Sequence, residues 1–159
     1  MVDEDLSWID EDVCVGSGGQ AILFGNLKKK GVGLIVNLER TYHLQEEKAA
    51  QINRLRYFYL PVRDLSTPKQ DQLDAVVAEM RKAVDAGMKV FIHCGAGQGR
   101  SPTFAAAYLI SRGMKMEDAI KLIKNKRPQV WKYPLDQGGP NKALPEYERR
   151  KNSGSIWSI

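Results

Sequence analysis

The stretch Lys89-Val90-Phe91-Ile92-His93-Cys94-Gly95-Ala96-Gly97-Gln98-Gly99-Arg100-Ser101 carries three local characters in succession. Lys89 to His93 is a short branched and aromatic run, the composition of a buried strand. Gly95 to Gly99 is nearly all small residues, so the backbone is free to curl. From Ser101 onward, Ala105, Ala106, Tyr108 and Leu109 recur at helical spacing, which predicts a helix over Ser101 to Arg112. The order is strand, glycine-rich loop, helix. It places Cys94 at the carboxyl end of a strand, where open α/β sheets take their ligands.

The loop reads as an anion cradle. Unpaired backbone N–H groups and a helix start converge on one point, and that field favours the thiolate form of Cys94. Gly95, Ala96, Gly97, Gln98 and Gly99 are the candidate binding residues, through their backbones. Arg100 adds a planar fork able to hold two oxygens of one phosphate. Ser101 is placed to donate a hydrogen bond to the sulfur, and His93 to support the loop without titrating in the reaction. These nine residues contain what nucleophilic phosphoryl transfer requires. The bland alternative is a buried cysteine after a strand, with Arg100 paired to a carboxylate and the glycines forming a turn. It accounts for fewer of the residues.

On the amino-terminal side of this stretch, Val32 to Leu38 and Leu55 to Val62 read as two further buried strands. Between the second of these and Lys89 lies a helix. Ser66 or Thr67 serves as its cap, Pro68 fits its first turn, and Gln70 forms a capping box with Thr67. Its apolar face is Leu73, Val76, Val77, Met80, Ala83 and Val84, and Gly87 stops it. On the carboxyl side, helices are expected over Glu117 to Lys126 and Asn141 to Lys151. Strands alternating with helices imply an α/β fold, a mainly parallel central sheet flanked by helices. Residues 1–151 read as one domain and 152–159 as a tail, whose Ile156, Trp157 and Ile159 suit docking on the parent domain.

His-Cys, five residues, then Arg-Ser, as His93-Cys94 to Arg100-Ser101, resembles the signature of the protein tyrosine phosphatase superfamily. The modest length and the start Ser7-Trp8-Ile9 to Val15-Gly16-Ser17 resemble its small dual-specificity branch, in particular compact microbial and archaeal members. The likeness runs loosely from about Leu6 to Arg150. It implies the cysteine-phosphatase fold, a phosphocysteine intermediate on Cys94, and a general acid on a loop some thirty residues earlier. Asp64 stands there, after the strand Leu55 to Val62. Asp71 and Asp74 compete for the role but fall within the helix, facing solvent; Arg63 reads as an exposed base. Asn141, after Gly139-Pro140, matches a polar support found in some relatives and fits a helix cap equally well.

Composition bounds the rest. The chain has 159 residues, 43% hydrophobic and 27% charged, with a net charge of +5. That suits a folded domain with anionic partners. Lys28-Lys29-Lys30, Lys124 to Arg127 and Arg149-Arg150-Lys151 read as solvated helix ends. With no aromatic residues interleaved among them, nucleic acid is not an expected partner. No apolar run is long enough to span a bilayer, and the acidic start is unlike a signal peptide, so a cytoplasmic monomer without membrane contact is expected. No His, Asp, Glu or Cys spacing suggests a metal, and no cofactor is implied. Cys14 reads as buried and inert. Gly95, Ala96 and Gln98 add no charge to the loop, which favours phosphorylated proteins over phosphoinositides or RNA triphosphates. A nucleic-acid 5′-phosphatase and a non-catalytic phosphate-binding module remain the alternatives.

Overall fold

The computed structural model describes residues 4–132 and 140–154. Five strands form one sheet in the order β1 (Leu6–Trp8), β2 (Val13–Ser17), β5 (Lys89–Cys94), β3 (Val32–Asn37), β4 (Arg56–Tyr59). Only the β1–β2 pair is antiparallel; β2, β5, β3 and β4 run parallel. The expected α/β fold with a mainly parallel sheet is the one observed, with β1 and β2 added to the three strands expected.

Strand alternation sorts the side chains into two cores. Val13, Val15, Leu34, Val36, Val90 and Ile92 face α3 (Gln70–Asp85), α4 (Arg100–Ser111), α5 (Met116–Lys126) and α6 (Pro140–Asn152). Cys14, Ile35 and Phe91 face the other way, toward α1 (Phe24–Lys29) and α2 (His43–Ile52). A sheet covered on both faces needs apolar residues at consecutive positions, which is why its strands read as continuous runs. Every residue of α4 is buried. Pro102 in its first turn costs nothing, because that position has no helical partner for an N–H.

Several expectations need correction. The helix after β4 starts at Gln70, and the Lys69 N–H donates to Gln72 Oε1 at 2.9 Å. The reciprocal bond therefore forms two residues beyond Thr67–Gln70, and Ser66 Oγ instead donates back to the Arg63 carbonyl. The second expected strand is shorter, Arg56 to Tyr59, although Leu60 and Val62 still donate to the carbonyls of Asn37 and Leu38. Asp74 does not stand free in solvent; it pairs with Arg150 at 2.6 Å, joining α3 to α6. Arg127 is no solvated helix end either: it is 1% exposed. The helix stop at Gly87 holds, with φ at +83°. Gly139, the side chain of Asn141, and Ile156, Trp157 and Ile159 lie outside the described residues. Among the described residues, no helix is long and apolar enough to cross a membrane.

Candidate active site

The segments that leave β2, β3, β4 and β5 meet at the carboxyl edge of the parallel strands. β5 lies between β2 and β3, with Ser17 opposite Cys94 and Asn37 opposite His93. The loop Cys94 to Arg100 is thus flanked by Gly18 and Gly19 after β2, Glu39 to Tyr42 after β3, and Asp64 after β4.

The shape of this loop follows from where its carbonyls go. His93 Nδ1–H donates to the Cys94 carbonyl at 3.1 Å. Gly18 N–H takes the Gly95 carbonyl at 3.0 Å, and Trp131 N–H the Gln98 carbonyl at 2.6 Å. Arg127 takes the carbonyls of Ala96 at 3.2 Å and Gly97 at 2.7 Å. Thr103 Oγ1 takes that of Gly99 at 2.8 Å. Each of these donors lies outside the cavity over Cys94. A planar trans peptide points its N–H opposite its C=O, so pinning six successive carbonyls outward turns the following N–H groups toward the cavity. Gly97 has φ of +68°, and a Cβ there would meet the Gly16 carbonyl oxygen at 2.4 Å. Only glycine fits that position.

Cys94 is 2% exposed, and its Sγ lies 3.3 Å from Ser101 Oγ. The cavity above it, about 180 Å³, is lined by Glu39, Tyr42, Asp64, Arg100 and the loop. The guanidinium of Arg100 is anchored by its far edge. Nη1 donates to the carbonyls of Val62 at 2.7 Å and Leu38 at 3.4 Å, and Nη2 to Glu39 Oε2 at 2.8 Å. Of five donors, the Nε–H and one Nη2 hydrogen remain. Nε is buried and has no hydrogen-bond partner among the described residues; Asp64 Oδ1 faces it as an ion pair at 3.6 Å, beyond hydrogen-bonding distance. Nε–H and Nη2 share one edge of the planar guanidinium, the geometry of a fork for an oxyanion. The sequence-predicted residues Cys94, Asp64, Arg100 and Ser101 are brought together, with Asp64, 73% exposed, at the rim.

Glu39 was not anticipated. The Asn37 side chain, itself held by a hydrogen bond to Tyr57, accepts from the Glu39 N–H at 2.7 Å and fixes the turn. Glu39 Oε1 accepts from Thr41 and Arg40, and Oε2 from Arg100. Burial alone would push this carboxyl up; the hydrogen bonds from Thr41 and Arg100 outweigh it and hold the group below the usual carboxylate range. Beneath the loop, fully buried His93 presents Nε2 to buried Glu46. Arg127, Glu46 and Glu39 carry no local signal, because each meets its partner across a long stretch of chain.

Comparison with known proteins agrees with this geometry. The family described as dual specificity phosphatase, catalytic domain, matches residues 15–134. A phosphatidylglycerophosphate phosphatase of Arabidopsis thaliana, PTPMT2, is 28% identical over 144 residues, covering 89% of this chain and 61% of that protein. Protein tyrosine phosphatase type IVA 2 of mouse is 35% identical over 106 residues, covering 64% of this chain and 60% of that protein. This chain therefore spans about three fifths of either relative. Among solved structures, Tk-PTP in its active form superposes with a TM-score of 0.77 at 25% identity, covering 94% of this chain and 99% of that one. A mouse putative dual specificity phosphatase complexed with zinc tungstate superposes at 0.82 and 23% identity, covering 98% and 94%.

Proposed function

Because the chain belongs to the dual-specificity phosphatase catalytic-domain family, we propose that it hydrolyses phosphate monoesters through a phosphocysteine on Cys94, with phosphotyrosine on proteins as the main substrate and phosphoserine and phosphothreonine as further ones. The observation that carries this reading is the cradle itself: a loop with its carbonyls pinned outward, a buried thiol at its base, and a buried arginine with two unused donors at its edge.

In the first step the Cys94 sulfur attacks phosphorus while the ester P–O bond breaks. Asp64 gives its proton to the leaving oxygen, and the loop N–H groups and Arg100 hold the three equatorial oxygens. In the second step Asp64, now a carboxylate, takes a proton from water. The water oxygen attacks phosphorus and the P–S bond breaks, releasing inorganic phosphate and restoring the thiolate, to which Ser101 donates. Tyr42, half exposed on the cavity wall, offers an aromatic face to the ring of a phosphotyrosine.

A second reading is a lipid phosphomonoester. It is favoured by the extent of the match to the phosphatidylglycerophosphate phosphatase and by Arg40, Arg63 and Lys69, which line the neighbouring cleft. Turnover measured side by side on phosphotyrosine and phosphothreonine peptides, phosphatidylglycerophosphate in micelles and RNA 5′-phosphates separates the cases. Highest kcat/KM on phosphotyrosine peptides is expected; a preference for the lipid or the RNA would reassign the substrate. Absence of hydrolysis with retained phosphate binding would leave a binding module.

A further inference from the structure

We propose that Arg127 is a positioning residue for phosphate binding: it holds the centre of the Cys94–Arg100 loop in its anion-accepting form from behind, and Asp5 and Ser7 of the amino-terminal segment hold it in turn. The proposal rests on the phosphatase reading of the same loop.

Arg127 caps the carboxyl end of α5, and its donors account for themselves completely. Nε–H donates to the Gly97 carbonyl at 2.7 Å. Nη2 donates to the Ala96 carbonyl at 3.2 Å and to Asp5 Oδ2 at 3.2 Å. Nη1 donates to Ser7 Oγ at 3.2 Å and faces Asp5 Oδ1 at 3.0 Å. A buried cation is costly unless it is paired and fully hydrogen-bonded, and this one is both.

Its place in the loop is what gives it a role beyond packing. The carbonyls of Gly95 and Gln98 are held by main-chain N–H groups, and that of Gly99 from within α4. Among the described residues, those of Ala96 and Gly97, the two at the centre, are held by this one side chain. Without it, the peptides joining Ala96, Gly97 and Gln98 lose what fixes their sense. Glycine at 97 gives little steric resistance to a flip. A flipped peptide would put a carbonyl oxygen where the phosphate oxygens belong, replacing a donor with a repulsive acceptor. The cation is also seated close against the loop, since a Cβ on Gly97 would lie 2.6 Å from Nη2.

The test is orthovanadate affinity, followed by Trp fluorescence or calorimetry, together with para-nitrophenyl phosphate kinetics and thermal melts on Arg127→Met and Arg127→Lys. Removing a charge-assisted hydrogen bond from each of two carbonyls predicts a vanadate Kd about 10- to 100-fold weaker in folded Arg127→Met, with kcat/KM reduced alongside. The ratio of rates between esters with good and poor leaving groups should stay at the wild-type value, because Asp64 is untouched. Arg127→Lys should fall between, since one ammonium cannot serve both carbonyls and Asp5. A merely structural arginine would shift the melt and leave vanadate affinity intact, and that result in either folded variant overturns the proposal. Should Arg127→Met fail to fold, Arg127→Lys decides alone on the same criterion. If the wild-type protein binds vanadate but hydrolyses nothing, the phosphatase reading fails while the shift in affinity still decides Arg127. Should it bind no vanadate, both fall.

Discussion

The two loops that meet over Cys94 are built on opposite principles. The loop Cys94 to Arg100 has each carbonyl from 94 to 99 anchored by a donor. The segment Asp64 to Pro68 is anchored mostly to itself: Leu65 N–H bonds Asp64 Oδ1, Ser66 bonds the Arg63 carbonyl, and Leu65 adopts a φ of +58° with its side chain half exposed. A positive φ at a branched-chain residue such as leucine is uncommon and marks stored strain. Oxyanion binding has to be preorganised to be effective, because donors that must reorient cost free energy as charge develops. A proton donor only has to arrive. In the proposed mechanism, the anchored cradle and the loosely tethered Asp64 divide the work between binding and protonation.

The sharpest break of that comparison is Cys94→Ser. It should remove turnover by about 10⁴-fold or more, the scale of a lost nucleophile, while leaving the fold and phosphate-ester binding in place. Substantial residual hydrolysis would take Cys94 out of the mechanism. Next comes Arg100→Lys, expected to cost roughly 10²- to 10³-fold in kcat/KM because an ammonium cannot reproduce the side-by-side fork. An unchanged efficiency would make Arg100 structural. Asp64→Asn should lower kcat by about 100-fold with little change in binding. Its loss should be smallest for phenols of high acidity, which leave unprotonated, and largest for phosphoserine. If Asp71→Asn shows that leaving-group dependence and Asp64→Asn does not, the acid has been placed on the wrong residue.

The smallest effect is expected at Glu39, which positions Arg100 from the rigid side. Glu39→Gln should reduce kcat/KM about tenfold by loosening the guanidinium. Its folded carboxyl titrates below the ordinary value. The stabilisation it supplies is therefore present above the unfolded pKa and is lost as pH falls through the folded one. The difference in Tm between wild type and Glu39→Gln should accordingly be widest near neutrality and close below the carboxylate range. A difference that stays constant with pH would show that the Glu39 charge contributes no stability.

What could be read from the chain tracks how local its cause is. The strand, loop and helix from Lys89 to Ser111 are legible because glycines, cysteine, arginine and the apolar spacing stand side by side. Asp64 became visible only through resemblance; the structure places it at the rim of the cavity, 3.6 Å from Arg100 Nε. Glu39, Glu46 and Arg127 were missed because they meet their partners 61, 47 and 30 positions away. α2 was missed for another reason. It buries only Glu46 and Ala50 while exposing Leu44 and Ile52, so it carries no apolar stripe to recognise. The cap of α3 slipped because Thr67 and Lys69 each precede a glutamine by three positions, and sequence alone ranked the threonine higher.

The register of β2 on β5 also fixes the redox options of the two thiols. Cys14 pairs with Phe91 and Ser17 with Cys94. The sulfurs therefore start three positions apart along neighbouring strands, about 10 Å at the usual rise per residue, beyond the reach of a disulfide. They also face opposite cores, and burial, the largest influence on Cys14, pushes its thiol up and keeps it protonated. If an oxidant converts Cys94 to a sulfenic acid, no second cysteine within these 159 residues can capture it without the sheet coming apart. Its reduction must then come from a thiol outside the native fold of this chain.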